Sequence, residues 1–315
     1  MTIEQPAPGE PRRPDGPRDP GDAWVVSDTG EKYWGRFGAA GLLAYDADRG
    51  VLLQHRVSWR HFGDTWGLPG GARHQGEGAC EGALCEAAEE AGVPGDAVRV
   101  RFDSVLDLQI WTYTTVVGDV VEPFEPVISD PESRELAWVP TDAVDDYPLH
   151  PGFAAAWPEL RRLLDVKPVI IVDAANVVGS VPDGWWKDRK AATQRLIDRL
   201  ARLETAGVAG AESGLESVHW YPEIVIVVEG QAKPVDAHET VRVVRAPGEG
   251  DDEIVAEAAR RQGDGQQVSV VTSDRGLTAR LEELGVTVTP VSWLLSRLDT
   301  ADAAAGVPLR RPERR

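Results

Sequence analysis

Five stretches in the C-terminal half, PVIIVDAAN, EIVIVVEG, TVRVVRAP, QVSVVTSD and VTVTPV, are continuous apolar runs. A strand with one wet face alternates apolar with polar residues, so runs like these must be covered on both faces. The segments between them, ATQRLIDRLARLE, DDEIVAEAARR and RGLTARLEEL, carry apolar residues at helical spacing. Strand and helix in alternation predict buried parallel strands joined by crossover helices, an α/β architecture. The preceding region has a different texture. FGAAGLLAYDADRGVLLQHR is two short apolar runs about an Asp-rich turn, which reads as a hairpin. VRVRFDSVLDLQIWTYTTVVGD shows the β-branched and aromatic alternation of paired strands, and ELAWVP supplies another. A helical pattern, GFAAAWPELRRLL, closes this part at about Leu164, and Pro168 opens the next.

Two domains suit 315 residues. The net charge of -19 and pI near 4.7 argue against a wrapped DNA binder or a protein of anionic membranes, while leaving room for a local basic groove. Cys80 and Cys85 are the two cysteines and share one predicted helix, so no disulfide framework is expected and a reducing compartment fits. Prolines and charges occupy the N-terminus, and no apolar run approaches the ~20 residues of a spanning helix. The expectation is a cytoplasmic protein without membrane partners. Residues 1–22 and 300–315 read as disordered tails.

Residues 66–93 read WGLPGGARHQGEGACEGALCEAAEEAGV. On a helix Glu86, Glu89 and Glu90 share one face and repel one another. They make either a solvated acidic face or a site for a divalent cation. The flanking residues resemble the Nudix box: glycine, five residues, glutamate, seven residues, then Arg-Glu-apolar-any-Glu-Glu-any-Gly-apolar. Gly71, Glu77, Glu86, Ala87, Glu89, Glu90, Gly92 and Val93 match it. Over residues 23–165 the resemblance implies a Nudix α/β/α sandwich, a pyrophosphohydrolase acting on acid anhydrides of a nucleoside diphosphate linked to another group. It implies Mg²⁺ or Mn²⁺ on Glu86, Glu89 and Glu90, with Glu89 and Glu90 catalytic, and a nucleotide substrate, a nucleoside triphosphate or its oxidised form. Gly70 and Gly71 would meet the substrate. Glu132 matches the remote carboxylate that many members contribute, and a solvated loop residue is the other reading. Position 85 departs from the family: a thiol replaces the guanidinium that would hold the carboxylates in place. A catalytic thiol is disfavoured there, since neighbouring carboxylates suppress the thiolate, and buried packing is the expectation for Cys85. His150 reads as a capping loop histidine rather than a base contact.

In the C-terminal half, acids recur where strands should end. Asp173 and Asn176 follow PVIIV, Asp251 and Asp252 open a helix, and Asp274 follows VSVVTS. Each alone is an ordinary helix cap; together they mark the carboxyl edge where open α/β sheets bind ligands. The pattern D-x-x-N, an acidic helix start and T-S-D resembles the NYN domain, a PIN-like and YacP-like fold. Over residues 166–299 this implies a Rossmann-like three-layer domain with a mainly parallel sheet. Asp173, Asp252 and Asp274 would bind Mg²⁺ or Mn²⁺ and cleave single-stranded or structured RNA, with Asn176 orienting them and Asp251 assisting. Trp185, Trp186, Lys187, Arg189 and Lys190 suit stacking on bases and contacts to phosphate, or the tryptophans belong to the core. The alternative to turnover is a weakly active Nudix module that senses a nucleotide and regulates an RNA-binding or RNA-cleaving partner domain.

Overall fold

The structure is a computed structural model and describes residues 1–6, 19–59, 61–182, 184–210 and 218–307. The chain divides into two compact units, Met1–Asp165 and the residues from Val166 onward, with residues 218–219 grouped with the first.

The first unit contains β1 (Thr2–Glu4), β2 (Trp24–Val26), β3 (Lys32–Trp34), β4 (Ala39–Asp46), β5 (Gly50–Arg56), β6 (Trp66–Gly67), β7 (Gly70–Ala72), α1 (Ala79–Ala91), β8 (Val98–Asp107), β9 (Thr112–Val120), β10 (Ser133–Val139) and α2 (Pro151–Leu163). Its main sheet runs β10-β5-β4-β9-β8, with β6 on β5 and β7 on β4. Only the β4–β9 pairing among these is parallel. The Asp-rich turn forms as expected: Asp46 accepts the amides of Asp48 and Arg49, and Gly50 takes φ 94°. Helix α1 buries Ala83, Ala87 and Ala91 completely against Ala40, Leu42 and Ala44 of β4. Small residues on both partners bring the helix backbone close to the sheet. Arg101 on β8 is almost fully buried; it donates to the Leu164 carbonyl at the end of α2 (2.6 Å) and pairs with Asp119 (3.1 Å).

The expected N-terminal tail is in part a sheet. Thr2–Glu4 pairs antiparallel with Trp24–Val26, which pairs in turn with Lys32–Trp34. Apolar Ile3, Val25 and Trp24 offset the ordering entropy that composition alone left uncovered. Residues 7–18 and 308–315 of the expected tails lie outside the described residues, and residues 300–304 continue a helix.

The second unit contains β11 (Pro168–Asp173), α3 (Ala174–Ser180), α4 (Arg189–Ala206), β12 (Val208–Ala209), β14 (Glu223–Val228), β15 (Arg242–Arg245), α5 (Gly250–Gly263), β16 (Gln267–Val271), α6 (Arg275–Glu283), β17 (Thr287–Thr289) and α7 (Val291–Ala304), while most of β13 (Val218–Trp220) groups with the first. Its sheet has the order β15-β14-β11-β16-β17, parallel throughout. Val169, Ile171, Val225, Val227, Val268 and Val270 pack against Ile254 and Ala258 of α5 and Leu277 and Leu281 of α6. The alternate residues, Ile170, Val172, Ile224 and Ile226, are buried as well, as double coverage requires. From β11 the chain first builds outward through β14 and β15, then returns to add β16 and β17. Strand order therefore reverses beside β11, where such sheets open a crevice at their carboxyl ends.

Candidate functional site

In the first unit two glycines let a loop rest on two carboxylates. A Cβ at Gly70 would overlap the Ala40 carbonyl and Gly41, and one at Gly71 would lie 2.7 Å from the Glu86 carboxyl carbon. The Gly70 N–H donates to Glu90 Oε2 (2.8 Å). Glu77 fastens the loop that leads into α1 by accepting the His74 N–H (2.8 Å). Gly92 ends the helix in the left-handed conformation, φ 64°, its amide donating back to Ala87 and Ala88.

The three helical glutamates differ in setting. Glu86 and Glu90 are buried, at 9% and 4% exposure, while Glu89 is exposed. Cys85 is exposed too, contrary to the expectation of a packed thiol. Residues 81, 85 and 89 form the outer ridge of α1, a turn apart, while 83, 87 and 91 take the inner one. The Cys85 thiol donates to Glu89 Oε1 (3.5 Å), and burial together with the Glu89 carboxylate pushes its pKa up. The connection from β9 to β10 brings Asp130 and Glu132 to Glu90, with carboxylate oxygens of all three within 4.8 Å of one another. Glu132 is buried rather than solvated. Asp130 escaped the sequence reading; its signal was an acid two residues before Glu132 in ISDPES.

Beside this group stands Arg56, the last residue of β5. Its charge acts on three neutral rings. Burial and Arg56 lower His61, burial and Arg56 lower His150 to about 4, and Tyr113 is pushed up to about 12 by burial against the opposing pull of Arg56. His150 caps α2, its Nδ1 accepting the Gly152 N–H (3.1 Å). Ring contacts link Trp34, Trp24, His61, Phe62 and His150 in sequence, with centroids 4.2–5.6 Å apart. A flat heteroaromatic ligand could stack on such a series, and a phosphate could face Arg56.

A NUDIX domain model matches residues 35–162. Over 166 residues the chain is 49% identical to "Putative 8-oxo-dGTP diphosphatase 3" of Mycobacterium tuberculosis, spanning 50% of this chain and 76% of that protein. The chain belongs to the Nudix family. The crystal structure of the Nudix hydrolase RenU from M. smegmatis is 47% identical, covering 46% of this chain and 95% of that one, with a TM-score of 0.42. Rae1 (YacP) from Bacillus subtilis is 17% identical over 44% of this chain and 79% of its own, with a TM-score of 0.35. The Nudix hydrolase assignment rests on the domain match and the mycobacterial relative. No helix among the described residues is long and apolar enough to cross a membrane.

Outside the Nudix unit, the carboxyl edge of the parallel sheet holds a cavity of about 280 Å³ lined by Asp173, Asn176, Glu229, Asp251 and Asp274 among others. Asp173 ends β11 at 7% exposure, accepting from the Asn176 amide (3.0 Å) and the Thr272 hydroxyl (2.9 Å). Burial raises its pKa against those two bonds. Asn176 Oδ1 accepts the Ser273 amide (2.9 Å), Asp274 caps α6 through the Leu277 amide (2.9 Å), and Glu229 takes the Gly250 amide (2.7 Å). The expected member Asp252 is not brought to this group. It is 70% exposed and ion-paired with Arg280 (2.7 Å), because the first turn of α5 points its neighbour Asp251 inward instead. Burial and Asp274 raise Asp251. Trp185 and Trp186 form a short 3-10 turn without buried residues, with Arg189 over the Trp185 ring at 5.1 Å and Trp186 61% exposed, so the core reading fails for Trp186. Thr272, the threonine of the T-S-D pattern, is a partner of Asp173 to which the sequence assigned no role.

Proposed function

We propose that the Nudix unit hydrolyses a nucleoside triphosphate at a phosphoanhydride bond, with an oxidised guanine nucleotide the first substrate to try given the name of the mycobacterial relative. The observation that supports this reading is the meeting of Glu90, Asp130 and Glu132 beneath the Gly70–Gly71 loop, with Glu86 alongside. All-oxygen donors at that spacing fit Mg²⁺ or Mn²⁺. A divalent ion bound there withdraws charge from phosphate oxygens and makes water a stronger nucleophile. The residues of the chain do the rest. Arg56 faces the phosphates, the ring series from Trp24 to His150 receives the base, and exposed Glu89 accepts the proton of the attacking water. Water oxygen bonds to phosphorus, the anhydride bond breaks, and pyrophosphate or phosphate leaves with the bonding pair. A phosphate-release screen across nucleoside triphosphates and their oxidised forms, with Mg²⁺ and Mn²⁺, tests this. Glu90→Gln is expected to lower turnover about a hundredfold or more while the protein stays folded. Wild-type turnover in the folded variant would refute the assignment. Tight nucleotide binding with negligible turnover in the wild type would instead favour the sensing role that the thiol at position 85 suggests.

For the second unit we infer a metal-dependent ribonuclease of NYN type. The reading is supported by Asp173, Asp251, Asp274 and Glu229 around one cavity at the strand-order reversal, and by exposed Trp186, Lys187 and Arg189 in the segment that leads from α3 into α4. Asp251 replaces Asp252 as the third acid in this reading. Single-stranded RNA is the substrate class that stacking on a tryptophan and phosphate contacts to cations would serve.

A further inference from the structure

We propose that Asp130 is an oxygen ligand that completes one divalent-cation centre with Glu90 and Glu132, and that Ser133 and Gln54 are positioning residues that hold it there. The proposal rests on the metal-dependent reading of the Nudix unit. Three carboxylates whose oxygens lie within 4.8 Å of one another repel, and Asp130 stands on a connecting loop outside any strand or helix. A chain of directed hydrogen bonds holds the Asp130 side chain in place. The Gln54 amide nitrogen donates to Ser133 Oγ (2.7 Å), so the serine hydroxyl keeps its own proton for Asp130 Oδ1 (2.8 Å). An amide nitrogen can only donate, which fixes the direction of both bonds.

The fold is built around this relay. The pairing of β10 with β5 shifts register between Ser133 and Glu135, and a bulge of that kind re-aims a side chain; here Ser133 turns to a buried position at 8% exposure. The same loop is tied to α1 by the Val127 amide on the Ala91 carbonyl (2.9 Å) and to β5 by the Val57 amide on the Glu132 carbonyl (3.1 Å). Gln54 is fully buried, and its amide head aims at this group through Ser133 while its Oε1 has no hydrogen-bond partner. A buried glutamine acceptor left open, with one serine hydroxyl between its amide and Asp130, is a cost that a purely structural serine–glutamine pair does not explain. Next to a hydrated cation it is the acceptor for a bound water. The donor set is all oxygen, which selects a hard ion such as Mg²⁺ or Mn²⁺ over zinc. The centre then draws ligands from a loop as well as from the face of α1.

The test is Mn²⁺ titration of the full chain, reading free Mn²⁺ by electron paramagnetic resonance, in a background carrying Asp173→Asn and Asp251→Asn to take the other cavity out of the count. Asp130→Asn and Ser133→Ala should each weaken binding about tenfold. Ser133→Thr, which restores the hydroxyl, should recover it, and Glu81→Gln on the outer ridge of the same helix should change nothing. Metal-free unfolding midpoints report folding, and Asp130→Asn decides alone if loss of the serine hydroxyl loosens the loop. Retained affinity in Asp130→Asn with loss in Glu90→Gln would overturn the Asp130 proposal and leave the Nudix-site reading standing. Retained affinity in both would overturn that reading as well.

Discussion

Glu89 and Glu90 are adjacent in the chain, yet one is exposed and receives a thiol hydrogen bond while the other is buried under a glycine amide. A 100° step around a helix is enough to separate them. Asp251 and Asp252 repeat the lesson, one lining a cavity and the other held by Arg280 at the surface. His150 shows how such placement sets a measurable property. Its pKa falls to about 4 in the folded chain, from an ordinary value near 6.5, by burial and the charge of Arg56. Between those two pH values the unfolded chain binds more protons than the native one, so stability must drop as pH falls from about 6.5 toward 4. His150→Asn keeps an acceptor at the helix start without the titration. The urea midpoint of the wild type is expected to decline through this window more steeply than that of the variant, and parallel curves would refute the assignment.

Helix α1 carries carboxylates at the site because its other side carries almost nothing. Ala83, Ala87 and Ala91 are fully buried against Ala40 and Leu42, and this close approach lets Gly70 and Gly71 reach Glu90 and Glu86. A larger residue on the inner ridge would lift the whole element. Ala87→Leu should cost about 1–3 kcal/mol by overpacking. It should also lower Mn²⁺ affinity, since Glu90 would leave the loop acids. Urea unfolding and metal titration of the same sample check both effects. A stable variant with intact metal binding would show that the helix position is not set by that contact. In the second unit the corresponding element-scale feature is the junction of strand and helix: Asp173 and Asp274 each cap a helix and face the same cavity, so the structural and the proposed functional roles coincide.

Each unit has its own apolar core and its own acidic site. Substitutions without shared partners add in their effects. Asp251→Asn is therefore expected to abolish Mn²⁺-dependent cleavage of single-stranded RNA and leave nucleotide hydrolysis at the wild-type rate, whereas Asp252→Asn should leave both unchanged. Paired assays on one preparation read the outcome. RNA cleavage that survives Asp251→Asn but fails in Asp252→Asn would return the role to the residue expected from sequence.

Periodicity and local spacing alone determined much of this protein. The continuous apolar runs specify a sheet covered on both faces, and the glycine and glutamate spacing from Gly71 to Gly92 specifies a tight loop entering an acidic helix, because both are short-range properties of the chain. Which acids meet is a long-range matter. Asp130, forty positions after Glu90, reaches it because β10 pairs with β5 through a shift of register, and no spacing rule contains that register. The inward turn of Asp251, the exposure of Cys85 and the strand at Thr2–Glu4 were likewise decided by packing, since each depends on which face of an element its neighbours cover. Local sequence chose the elements and their chemistry; tertiary contacts, which bury one face and leave the other to solvent, chose the residues that face one another.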